Sequence, residues 1–170
     1  MRVYVSIGSN IEPEKNVRFA IAALRAAFGE LTVSPVYRTA AVGFDGEDFL
    51  NLVVGFDSEL PVEEIDDMLD EMEANAGRQR GAPKFAPRTL DIDLLLYGNE
   101  IVSGERLKLP RKEITEYLFV LQPLADIAAE QPHPVLGRTM RELLATLEFP
   151  GQRCEREEVS LESHSERGKA

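Results

Sequence analysis

Tryptophan is absent, cysteine occurs once and histidine twice in the 170 residues. With Cys154 alone, neither an internal disulfide nor a cysteine-based zinc site can form. His133 and His164 are too far apart for metal-ligand spacing, and His133, between Pro132 and Pro134, reads as a turn residue. Positive charge is also scarce: 19 Lys and Arg face 30 Asp and Glu, a net −11. The molecule as a whole therefore repels nucleic acid, anionic membranes and nucleotides. No apolar run approaches the ~20 residues of a membrane span. Residues 2–8 are too short for a signal-peptide core and run into a helix start, so a cytoplasmic protein is expected, with no membrane or nucleic-acid partner. Missing too are a Gly-x-x-x-x-Gly-Lys-Ser/Thr loop, a Gly-x-Gly-x-x-Gly turn and any protein-kinase signature. A triphosphate would have to be held by clustered side chains or by metal ions.

What is present suits one globular domain: 44% hydrophobic and 29% charged residues. Val3, Val5 and Ile7 alternate with Tyr4 and Ser6, the pattern of a half-buried strand. Glu12-Pro13-Glu14 opens a helix whose apolar positions, Val17, Ala20, Ile21, Leu24, Ala27 and Phe28, recur at three and four until Gly29. Leu31 to Tyr37 reads as a second strand, 40–48 as a glycine-containing loop and Phe49 to Phe56 as a third strand. Pro61-Val62-Glu63-Glu64 opens a second helix capped at Gly77, and Thr89 to Tyr97 forms a fourth strand. The order β-α-β-β-α-β predicts a ferredoxin-like α+β core, a mostly antiparallel sheet with helices packed on it. Short strands at Glu100–Val102 and Leu107–Leu109 and helices at Leu124–Glu130 and Thr139–Leu147 follow, completing an αβα sandwich. The domain is expected to end at 149. Residues 150–170 are charged and poor in large apolar side chains, so a mobile tail is expected whose removal after Gly151 leaves activity intact.

Charge is unevenly placed. Glu63, Glu64, Asp66, Asp67, Asp70, Glu71 and Glu73 make the second helix acidic, whereas Arg78, Arg80, Lys84 and Arg88 follow with no acid until Asp91. That basic loop ends on Asp91-Ile92-Asp93, and residues two apart on a strand share a face. Two carboxylates side by side repel unless a cation bridges them or one takes up a proton. Hard oxygen ligands of this kind suit Mg²⁺, which completes its shell with water and substrate phosphates. Arg88 and the loop cations would neutralise the remaining phosphate charge.

Lys84-Phe85-Ala86-Pro87-Arg88-Thr89-Leu90-Asp91-Ile92-Asp93-Leu94-Leu95 resembles the signature of the 6-hydroxymethyl-7,8-dihydropterin pyrophosphokinases. Further landmarks keep that family's order: Ile7-Gly8-Ser9-Asn10, Tyr37-Arg38-Thr39, Phe49-Leu50-Asn51, Glu73 with Gly77-Arg78, Phe119-Val120-Leu121, and His133-Pro134. The resemblance spans residues 1–147. It implies transfer of the β,γ-pyrophosphoryl group of ATP to the pterin hydroxymethyl oxygen with release of AMP, a step of tetrahydrofolate synthesis assisted by two Mg²⁺ ions. By the same resemblance, Asp91 and Asp93 are the metal ligands, and Arg78 and Arg88 complete the catalytic set. Glu73, Arg80, Leu94 and Arg106 fall at ATP-contacting positions. Asn51 matches a side chain that hydrogen-bonds the pterin, Phe119 a ring that stacks on it, and Thr39 to Val42 supply backbone contacts.

Some positions depart from the family's commonest pattern. Phe49 stands in for a tyrosine and Phe85 for a tryptophan, both keeping an aromatic plane. Arg111 takes the place of a frequent histidine, and Tyr117 that of an arginine at the triphosphate. Arg111 or Lys112 is expected to supply the missing charge. The partners expected are ATP and the dihydropterin alcohol, with a monomer as the working state. Two alternatives stay open at this point: a diverged pyrophosphokinase for a related alcohol, and an inactive nucleotide-binding module that serves a partner.

Overall fold

The computed structural model describes residues 1–39, 48–79 and 90–161, without the side chains of Arg78 and Gln79. β1 (Arg2–Ser9) runs into α1 (Pro13–Phe28), which ends where Gly29 adopts φ 83° and donates its N–H to the Arg25 carbonyl. The second strand forms as two pieces, β2 (Thr32–Val33) and β3 (Val36–Thr39). The break falls at Ser34-Pro35, because proline has no N–H for a ladder. Ser34 bridges the gap: its N–H reaches the Val53 carbonyl and its Oγ accepts from the Val53 N–H, both at 2.9 Å. β4 (Phe49–Asp57), α2 (Val62–Gln79) and β5 (Asp91–Tyr97) follow. α2 continues past Gly77, which was expected to cap it.

The sheet order is β5-β1-β4-β3, with β2 also on β4, and every pairing is antiparallel. This is the ferredoxin-like arrangement the element order predicts. One face carries Val3, Val5, Ile7, Leu52, Val54, Ile92 and Leu94 against α1 and α2. The opposite face carries Tyr4, Val53, Leu95 and Leu96. It is covered by α4 (Leu118–Ala128) and α5 (Met140–Thr146), which makes the αβα sandwich.

The C-terminal half departs furthest from the sequence reading. β6 (Val102–Ser103) and β7 (Lys108–Leu109) pair with each other; β6 shares only Val102 with the expected Glu100–Val102, and β7 falls within the expected Leu107–Leu109. A one-turn helix, α3 (Glu113–Glu116), was not anticipated. α4 starts six residues before its expected position and encloses Pro123, since Val120, Leu121 and Leu124 all bury on the sheet. Burial of that face outweighs the one hydrogen bond the proline forfeits.

The stretch expected to be a mobile tail is, over its described part, built onto the domain. β8 (Glu155–Glu157) pairs with β3 at the sheet edge, Arg38 grips Glu157 through two hydrogen bonds of 3.0 Å, and Val159 and Leu161 pack on the core. The strand supplies the partner that the unpaired edge of β3 would otherwise lack. Residues 162–170 lie outside the described residues. Among the described residues no helix is long and apolar enough to cross a membrane.

Leu52 sits on the central strand with no exposed surface. Leu52→Ala is expected to lower the unfolding free energy by about 2–5 kcal/mol, read as an earlier urea midpoint at unchanged slope.

Candidate active site

β5 is an edge strand, and its first residues settle where its charges go. Asp91 pairs with Gly8 and Asp93 with Ser6 of β1, so both carboxylates project from the α4 side of the sheet. Ile92 and Leu94 enter the opposite core, each 2% exposed or less. Further along, the register with β1 shifts: Val5 faces Leu94 but Tyr4 faces Leu96, leaving Leu95 as an extra residue. This bulge turns both Leu95 and Leu96 toward α4 and returns Tyr97 to the α1–α2 core. Glu73 on α2 accepts a 2.7 Å hydrogen bond from the Ile92 N–H and so ties the helix between the two aspartates.

The aspartates open onto a cavity of about 370 Å³. Its floor is one face of four strands: Asp91, Asp93 and Leu95, then Ser6 and Gly8, then Phe49 and Asn51, then Thr39. Its wall is Arg111 and Glu113 at one end and Tyr117, Phe119 and Val120 at the other. Across the sheet, Asp91, Gly8 and Asn51 form one transverse row. The missing side chain at Gly8 leaves the gap between the carboxylate and the amide; a Cβ there would meet Asn51 Oδ1 at 2.9 Å.

The two ends differ in chemistry. At the charged end, the Arg111 N–H binds the Leu95 carbonyl at 3.1 Å, which sets the side chain beside β5. Its guanidinium lies 3.6 Å from Asp93 and donates at 2.5 Å to Glu113. Burial alone would lower the Arg111 pKa, but the Asp93 charge and the Glu113 bond more than offset it and raise it above its ordinary value. At the apolar end, Asn51, 7% exposed, donates at 2.7 Å to Thr39 Oγ1. The rings of Tyr117 and Phe119 stack with centroids 5.0 Å apart. Phe49 completes an aromatic enclosure around a polar amide, the form of a site for a flat heterocycle.

Metal binding can be judged from the donors. Among the described lining residues, three carboxylates stand against one guanidinium, and no group of three or more His, Cys, Asp or Glu is assembled. Two carboxylates without a closed cage fit Mg²⁺, which uses one or two protein carboxylates together with phosphates and water.

The structure thus brings Asp91, Asp93, Arg111, Thr39, Phe49, Asn51 and Phe119 into one cavity. It does not bring every expected residue there. Leu94 is 1% exposed in the opposite core, so its side chain is withdrawn and only its main chain can meet a ligand. Arg106 is on the surface, 3.9 Å from Asp70 of α2. Glu73 is engaged with the strand backbone. The side chain of Arg78, together with Arg80, Phe85, Arg88 and Val42, lies outside the described residues. Gly8 and Glu113 were not singled out as site residues. Glu113 sits on the unanticipated one-turn helix, and only its spacing from Arg111 hints at the pair.

Known proteins resemble the chain over most of its length. Residues 4–129 match the family model described as 7,8-dihydro-6-hydroxymethylpterin-pyrophosphokinase. The chain is 38% identical over 154 residues to 2-amino-4-hydroxy-6-hydroxymethyldihydropteridine pyrophosphokinase of Pseudomonas aeruginosa, covering 88% of this chain and 94% of that one. It is 40% identical over 155 residues to the protein of the same name from Methylorubrum extorquens, covering 88% and 96%. A wild-type Plasmodium falciparum HPPK-DHPS structure superposes with a TM-score of 0.67 at 13% identity, a likeness of fold. That match covers 85% of this chain and 44% of the other, so the chain spans less than half of that protein. The chain belongs to the 7,8-dihydro-6-hydroxymethylpterin-pyrophosphokinase family.

Glu73→Ala leaves the Ile92 N–H without this acceptor and is expected to destabilise the protein by about 1–3 kcal/mol. Hydrogen exchange should speed up at Ile92, whereas Glu73→Gln, which keeps an acceptor, should change it little.

Proposed function

We infer that the chain transfers the pyrophosphoryl group of ATP to the hydroxymethyl oxygen of 6-hydroxymethyl-7,8-dihydropterin, releasing AMP in the synthesis of tetrahydrofolate. The observation that carries this reading is the single cavity in which a carboxylate pair and an amide-and-aromatic pocket are separated only by Gly8. One substrate end needs charge compensation and the other needs a stacked, hydrogen-bonded heterocycle.

In this reading Asn51 and Thr39 hydrogen-bond the pterin edge, and Phe49 and Phe119 hold its faces. That placement points the hydroxymethyl group past Gly8 toward Asp91. The hydroxyl oxygen attacks the β-phosphorus in line, the bond from that phosphorus to the bridging oxygen of the α-phosphate breaks, and AMP departs with that oxygen. The hydroxyl proton leaves to solvent. Such transfer needs alignment and charge compensation more than covalent participation, consistent with a cavity whose described lining has no Cys or His. Asp91 and Asp93 would hold Mg²⁺, two ions in our proposal, which when bound supplies Lewis acidity and neutralises phosphate charge. Arg111 provides a fixed positive charge beside Asp93, whereas Tyr117 stacks on Phe119 at the heterocycle end of the cavity. Arg78, Arg80 and Arg88 are proposed as further phosphate partners, with Arg106, Glu73 and the Leu94 main chain at the nucleotide's periphery. We propose a cytoplasmic monomer for the working enzyme.

Incubation with Mg²⁺-ATP and the dihydropterin alcohol tests the reading: AMP should accumulate with the pterin diphosphate in equal amounts. Tight ATP binding without AMP release at saturating pterin would overturn it. Asp91→Ala and Asp93→Ala should each lower kcat by at least about 100-fold, the scale of deleting one preorganised charge, with the fold intact by circular dichroism. Folded variants that keep near wild-type rates would remove both residues from the metal site. Arg111→Ala should lower kcat by roughly 10- to 100-fold on the same scale, and unchanged kinetics would show that Arg111 supplies no catalytic charge.

A further inference from the structure

Residues 148–152 lie beyond the stretch matched by the family model and line no part of the cavity. They nevertheless hold its wall. Phe149 packs against the α4–α5 core, and its carbonyl accepts the Gln152 N–H at 3.1 Å. Between them stand Pro150 and Gly151, the latter at φ 75°, the residue types and backbone sign of a type II turn. The turn delivers Gln152, and three residues later β8 fixes the chain on β3.

The Gln152 side chain makes two hydrogen bonds that straddle one residue. Its Nε2 donates to the Glu116 carbonyl at 3.0 Å, and its Oε1 accepts from the Leu118 N–H at 2.9 Å. The residue between is Tyr117, which is extended at φ −128° and ψ 125° where α3 ends and α4 begins. This junction aims Tyr117 and Phe119 into the cavity, where their rings stack. The Leu118 N–H lies in the first turn of α4 and has no partner within that helix, so an outside acceptor is needed there. Gln152 meets that need and satisfies the adjoining carbonyl with the same amide.

We propose that Gln152 is a positioning residue for the heterocycle end of the cavity: it clamps the α3–α4 junction so that Tyr117 and Phe119 present a preformed aromatic wall. The proposal rests on the reading that Phe119 receives the pterin. It reverses the expectation that residues after Gly151 are dispensable, since truncation there removes the clamp.

The test uses the full chain and measures dissociation constants for the pterin alcohol and for ATP by calorimetry, with KM and kcat for each. Gln152→Met keeps the side-chain length and removes both hydrogen bonds. Its pterin Kd and KM should rise about three- to tenfold, the scale of one or two net hydrogen bonds, while its ATP Kd stays within about twofold. Gln152→Glu keeps the acceptor and loses the donor, so it should fall between wild type and Gln152→Met. Phe119→Ala is the reference. If it weakens pterin binding while Gln152→Met does not, the clamp proposal falls and the pocket reading stands. If Phe119→Ala leaves pterin binding unchanged, the pocket reading itself falls. Equal weakening of ATP and pterin by Gln152→Met would indicate a general structural role and would also overturn the proposal.

Discussion

The site depends on like charges being forced together. Once β5 pairs antiparallel with β1, its alternation leaves Asp91 and Asp93 no choice but to share a face, because Ile92 and Leu94 are claimed by the core under α1 and α2. Arg111 at 3.6 Å from Asp93 eases part of the repulsion, and divalent cations suit the remainder. Burial of two apolar side chains thus stabilises an arrangement that the carboxylates alone would resist.

The second constraint is a gap. Asp91 and Asn51 project from strands on either side of β1, and Gly8 lies between them. Any side chain at that position would fill the passage from the charged end of the cavity to the aromatic end. A glycine on a central strand costs backbone entropy and packing, and here the cost coincides with the place where two substrates would have to meet. Helices from the C-terminal half close the cavity from above, and Gln152 braces the junction between α3 and α4 from outside the cavity.

Much of this was legible in the sequence because the signals are local. Alternation in Val3 to Ile7, the three-and-four spacing from Val17 to Phe28, and the Asp91-Ile92-Asp93 spacing each report a geometry within a few residues. What was not legible depends on contacts distant in sequence. The bulge at Leu95 shows only when β1 is laid beside β5. Pro123 reads as a helix breaker until the burial of Val120, Leu121 and Leu124 is counted. Glu155–Glu157 has the composition of a solvated tail, yet it pairs with β3 because that edge is open and Arg38 meets Glu157. Gln152 carries no local signal at all; its two partners lie more than thirty residues upstream.

The most direct measurement is a crystal structure of the protein with Mg²⁺, an ATP analogue that cannot be cleaved between its α- and β-phosphates, and 6-hydroxymethylpterin. The account predicts metal density in contact with both Asp91 and Asp93, and the pterin ring between Phe49 and Phe119 with its edge on Asn51. Metal bound away from those carboxylates, or a pterin seated outside this cavity, would contradict it.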